Sequence, residues 1–91
     1  MMKKHYNLTV SGKVQGVGYR FSCVEAAYKH GVKGHVRNQR DGSVYVEAEG
    51  SEEALAAFIS WCRKGPVWAR VSDVVIEEGD IKDFETFQII H

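Results

Sequence analysis

The segment Gly12-Lys13-Val14-Gln15-Gly16-Val17-Gly18-Tyr19-Arg20 joins two different hydrophobic patterns. Upstream, over His5 to Val10, Tyr6, Leu8 and Val10 alternate with polar residues, the period of a strand with one buried face. Downstream, over Arg20 to His30, Phe21, Val24 and Tyr28 recur at helical spacing with Ala27 beside them. Gly31 stands where a helix closes on a left-handed residue. A glycine-rich turn between a strand end and a helix start can hold an anion. The first N–H groups of a helix have no partner within it, and the helix dipole adds partial positive charge at that end. Gly16 and Gly18 can take positive φ, which curls successive N–H groups around one anion. Arg20 adds a fixed charge and a bidentate fork for phosphate oxygens. The plainer reading is a turn with two glycines and a surface arginine, and a short glycine motif alone does not separate the two.

A second block lies further along: Gly34-His35-Val36-Arg37-Asn38-Gln39-Arg40-Asp41-Gly42-Ser43-Val44-Tyr45-Val46-Glu47-Ala48-Glu49-Gly50. Asp41-Gly42 is a hairpin turn signal between two strand-like runs. The two blocks together resemble the acylphosphatase family. Gly12 to Arg20 matches that family's loop of the form Gly-x-Val-Gln-Gly-Val-x-aromatic-Arg. Gly34, Asn38, Gly42, Val44, Val46, Ala48 and Gly50 match its second signature. Lys64-Gly65-Pro66, followed by Ala69 and Val71, is a third similarity. Tyr19, where Phe is common, and Gly18, at a variable place, are minor departures.

The remaining elements follow from local signals. Val36 belongs to a second strand, and Val44, Val46 and Ala48 give a clearer third. Ser51 caps a second helix with Glu52 and Glu53 in its first turn, where carboxylates suit the dipole. Leu55, Phe58, Ile59 and Cys62 form its apolar stripe, and Gly65-Pro66 stops it. Val71 to Ile76 reads as a fourth strand, Asp80 to Asp83 as a polar turn, and Phe84 to Ile90 as a closing strand with Phe87 and Ile89 on one face. The order is that of an α+β, ferredoxin-like split βαβ sandwich: an antiparallel sheet with two helices on one face. The resemblance implies the same architecture and supplies the strand pairing order.

Length fits a single domain over residues 1–91. Twelve basic and twelve acidic residues leave no net charge, which argues against a general nucleic-acid binder. Met1-Met2-Lys3-Lys4 is not followed by the apolar run of a signal peptide, and no run approaches membrane-spanning length. A cytoplasmic monomer without nucleic-acid or membrane partners is expected. Cys23 and Cys62 lack metal-type spacing and read as free thiols, Cys62 in the core. His5, His30, His35 and His91 are scattered, without a metal-site pair, and read as surface residues. His35 and Arg37 are expected on the sheet face away from the helices. Trp61 and Trp68 flank Gly65-Pro66 and read as packing or loop-closing residues.

The resemblance implies hydrolysis of a small-molecule acyl phosphate to a carboxylate and inorganic phosphate, with no cofactor and no metal. It makes Arg20 and Asn38 the catalytic residues, Arg20 on the phosphate and Asn38 on the attacking water. It places substrate against Gln15, Gly16, Val17, Gly18, Tyr19 and Arg20, with Gln15 and Val17 acting through their backbone N–H groups. Inorganic phosphate or sulfate is an expected ligand of the same loop. Asn38 cannot act as a base at neutral pH, but its amide donates and accepts, so it can hold a water in line. A non-catalytic phosphate-binding module and a domain serving RNA or carbamoyl transfer in a larger protein are the alternatives. The pairing of Arg20 with Asn38 argues against the first, and the chain length and neutral charge against the second.

Overall fold

The structure, a computed structural model, describes residues 2–91; Met1, at the start of the segment read as leader-free, lies outside them. The elements are β1 (Lys3–Lys13), α1 (Tyr19–His30), β2 (Lys33–Asn38), β3 (Val44–Ser51), α2 (Glu52–Lys64), β4 (Arg70–Gly79) and β5 (Phe87–Ile89). They form one sheet in the order β4-β1-β3-β2-β5. The four longer strands are antiparallel neighbours, but β5 runs parallel to β2, so the sheet is mixed where a wholly antiparallel one was expected. The cause is the path of the chain: β4 and β5 occupy opposite edges, and residues 80–86 cross between them.

Alternation sorts each strand onto two faces. Leu8 pairs with Val46 and Val10 with Val44, and all four are buried under the helices. Val36 pairs with Val46 on the same side. Gly34 must be glycine, because a Cβ there would lie 1.8 Å from the Glu47 carbonyl oxygen at a φ of +148°. In α2, Ser51 Oγ accepts from Ala54 N–H at 3.1 Å, and Leu55, Phe58 and Cys62 are buried, in agreement with the stripe.

In α1 the buried face differs from the expected one. Phe21 and Tyr28 are exposed, while Tyr19, Cys23, Ala26 and Ala27 face the core. Apolar residues lie all round this helix, so periodicity alone permits two stripes. Tyr19 decides between them: its hydroxyl donates to the Cys62 carbonyl at 2.8 Å, and its ring packs on Trp61 at 5.2 Å. Small Ala26 and Ala27 then let α1 approach its neighbours closely. Trp68, expected to pack or to close the loop, is exposed.

The opposite face holds a polar core that the sequence reading missed. His5, read as a surface residue, is 1% exposed, and Glu49 is fully buried directly across the β1–β3 ladder. His5 Nδ1 lies 2.7 Å from Glu49 Oε2, and Nε2 lies 2.8 Å from Asn7 Oδ1 and 3.2 Å from Glu47 Oε1. Both ring nitrogens of His5 thus have an oxygen within hydrogen-bond distance. Glu49 also accepts the backbone N–H groups of Lys82 and Phe84, and Lys82 Nζ donates to Glu47 at 2.9 Å. The Phe84 ring stacks on His5 and meets His35 edge-on. These contacts strap residues 80–86 across the face. They also keep Phe84 out of the final strand, which begins at Phe87 instead.

Burial alone would raise the carboxyls of Glu47 and Glu49, yet both titrate below the usual carboxylate range. For Glu49 the Lys82 N–H, His5 and the Phe84 N–H outweigh burial; for Glu47, Lys82 and the Tyr45 hydroxyl do so. Burial lowers His35 below the ordinary histidine value despite the nearby Glu47, and its Nδ1 has no hydrogen-bond partner.

Candidate active site

The glycine loop and the end of β2 meet at the other end of the strands. Gly18 caps α1 in the left-handed region with a φ of 79°, and no side chain caps the helix. Gly16 also has positive φ, at 73°. The first-turn N–H groups of α1 are thus left without a capping side chain, and no acidic residue stands in that turn. Arg20 occupies it instead, half-buried, where a cation is unfavourable on dipole grounds. Among the described residues no carboxylate pairs with Arg20.

A cavity of about 150 Å³ opens at this point, lined by Val14, Gly16, Gly18, Tyr19, Arg20, Phe21, Asn38 and Ile89. Four of the residues expected to bind substrate (Gly16, Gly18, Tyr19 and Arg20) meet Asn38 there. Tyr19 can contribute only its backbone, since its ring is in the core. Burial pushes its phenol well above the ordinary tyrosine range, so it stays protonated.

Gln15 and Val17 are not on the cavity wall. Val17 packs partly buried against the core. Gln15 turns its amide to the hairpin, donating from Nε2 to the Gln39 carbonyl at 2.7 Å and the Ser43 carbonyl at 2.9 Å. The hairpin is closed by Gln39 N–H to Ser43 O at 2.9 Å and by Asp41 Oδ1, which accepts from the Ser43 N–H and hydroxyl. Gln15 therefore ties the glycine loop to the turn that follows Asn38. Val14, Phe21 and Ile89 are wall residues that sequence reasoning did not select. Phe21 was assigned to the core by its spacing, and Ile89 reaches the cavity only through the β2–β5 pairing.

Cys23 and Cys62 are buried, unpaired thiols away from the cavity wall, and burial raises Cys23 well above its ordinary value. Among the described residues no group of three or more His, Cys, Asp or Glu is arranged to hold a metal ion. Among the described residues no helix is long and apolar enough to cross a membrane.

The family model described as Acylphosphatase matches residues 6–89. The chain is 45% identical over 84 residues to the acylphosphatase of Cupriavidus pinatubonensis, covering 92% of each. It is 44% identical to that of Thermotoga maritima, covering 94% of this chain and 96% of the relative. The crystal structure of acylphosphatase from Bacillus subtilis superposes with a TM-score of 0.94 at 34% identity, over 99% of this chain and 100% of that one. That agreement includes the ferredoxin-like arrangement of sheet and helices. The chain belongs to the acylphosphatase family, hydrolases of acyl phosphates.

Proposed function

We propose that the Gly12–Arg20 loop binds the phosphate group of an acyl phosphate and that Asn38 orients the water that attacks it. The observation that carries this reading is the single cavity wall shared by the α1 N-terminus, the unpaired Arg20 and Asn38. The N–H groups and guanidinium hold the three peripheral phosphoryl oxygens, where charge is spread in a loose transition state. Water oxygen bonds to phosphorus as the bond from phosphorus to the acyl oxygen breaks, and that electron pair leaves on the carboxylate. A carboxylate is a good leaving group and needs little acid help.

No cavity-lining side chain is a base at neutral pH, Tyr19 being protonated and buried. The reading therefore gives the water's proton to a phosphoryl oxygen of the substrate. Asn38 holds the water with its amide, and Gln15 holds Asn38 in register with the loop. Steady-state hydrolysis of benzoyl phosphate tests the assignment. Asn38→Ala is expected to depress kcat strongly and to change KM little. Asn38→Asp is expected not to restore turnover, because its charge repels the anionic substrate although a carboxylate is the better base. Wild-type rates in Asn38→Asp, or a change confined to KM in Asn38→Ala, would remove Asn38 from the water.

A further inference from the structure

Phe21 is 69% exposed in the first turn of α1. Exposure of one apolar side chain is ordinary, and Val67 and Trp68 are exposed too. Phe21 differs from them in lining the same cavity as Arg20 and Asn38. The cavity has a polar part and an apolar part. Gly16 and Gly18 offer backbone, and Arg20 and Asn38 offer their polar ends, whereas Phe21, Ile89 and Val14 offer only hydrocarbon.

Its size of about 150 Å³ corresponds to roughly five waters at their liquid share of volume. A phosphate group with its five heavy atoms, together with the attacking water, uses most of that space. The acyl half of the substrate, joined through one oxygen, must then lie at the mouth. Val14 is buried, so the exposed apolar surface at the mouth is that of Phe21, with half-buried Ile89 beside it. Arg20 is the one cation on the wall, and phosphate takes it. A second carboxylate on the acyl group would find no charged partner there.

We propose that Phe21 receives the acyl half of the substrate and biases the enzyme toward acyl phosphates with uncharged aromatic or bulky apolar acyl groups over acetyl phosphate. The proposal rests on the acyl phosphate reading of the cavity given above. An aryl group can stack or tilt on the exposed ring and remove apolar surface from water, whereas an acetyl methyl covers little of it.

The test is the ratio of kcat/KM for benzoyl phosphate to kcat/KM for acetyl phosphate, measured in wild type, Phe21→Ala and Phe21→Leu. A ratio is unaffected by any loss of folded protein, which lowers both rates alike. The ratio is expected to fall about tenfold in Phe21→Ala, the discrimination that one aromatic contact supplies, with Phe21→Leu between the two. A ratio unchanged in Phe21→Ala, while wild type hydrolyses both substrates, overturns the assignment of Phe21 and leaves the phosphate site standing. Failure of wild type to hydrolyse either substrate overturns both.

Discussion

At one end of the strands Arg20 sits in the first turn of a helix with no carboxylate paired to it; at the other, buried His5 lies between Glu47 and Glu49, and the exposed Lys82 pairs with Glu47. Both regions gather basic side chains, Arg20 half-buried at one end and buried His5 with exposed Lys82 at the other. In the His5 cluster the counter-charges are internal, and hydrogen bonds from the backbone of residues 80–86 complete the shell. Such a region has no need of a ligand, and its effect is to fasten the strap between β4 and β5. At the glycine loop the α1 N-terminus and Arg20 meet at a cavity with no carboxylate on its wall, and the proposed function takes the balancing charge from substrate. A buried charge network is therefore structural or catalytic according to whether its counter-charge is built into the chain.

The largest effect that would sharpen this contrast is expected from Arg20→Ala. Losing a bidentate charged contact present in ground and transition states should lower kcat/KM about a thousandfold, or ~4 kcal/mol, while urea unfolding stays near wild type. Arg20→Lys should rescue poorly, since it supplies a point charge without a fork. A large loss of stability in Arg20→Ala would place Arg20 in the structural class with His5.

Glu49→Ala is the mirror experiment. It leaves His5 and two backbone N–H groups without their buried acceptor, and should cost about 3 kcal/mol in urea unfolding. The kcat/KM of the folded fraction should remain close to wild type, because the cluster and the cavity lie at opposite strand ends. Activity lost in proportion beyond the folded fraction would mean that the two ends are coupled.

These two regions also differ in how well they can be read from sequence. The glycine loop, the Asp41-Gly42 hairpin and the Ser51 cap are local signals, each complete within a few residues, and the structure places them as expected. Arg20 and Asn38 were legible through the two motif blocks, and the cavity brings them together. The His5–Glu49 pair is separated by 44 positions and exists only through the β1–β3 register, so a lone histidine in an alternating strand gave no sign of it. The Gln15 clamp is hidden in the same way, since its partners are backbone carbonyls with no sequence identity of their own. On α1, Tyr19 looked like part of the loop, and without it the exposed Phe21 and Tyr28 passed for the core stripe.

Gln15→Ala probes the boundary between structural and catalytic roles. Its loss should leave phosphate inhibition nearly unchanged but lower kcat roughly tenfold, as Asn38 drifts from alignment with the loop. A rise in the phosphate inhibition constant instead, with kcat preserved, would show that Gln15 shapes the anion site and not the water site.

Acid gives the gentlest test. His35 is held below its ordinary 6.5, and Glu47 and Glu49 below their ordinary 4.5, so the unfolded chain takes up these protons first. Their stabilisation is complete above pH 6.5. It begins to fall as pH drops through the histidine range and falls further below 4.5 as the carboxylates protonate. Urea midpoints from pH 8 to pH 3 should follow that course in wild type and Arg20→Ala alike, and more weakly in Glu49→Ala. An acid dependence equal in Glu49→Ala and wild type would take the titration out of the cluster.

The central claim, that an external anion completes the charge balance of the glycine loop, is tested most directly by titrating inorganic phosphate into isotope-labelled protein and following backbone amide shifts. The account predicts saturable shifts concentrated at Gly16 to Phe21, abolished in Arg20→Ala and retained in Glu49→Ala. Shifts centred on His5 and residues 80–86, or shifts at the loop that persist without Arg20, would contradict it.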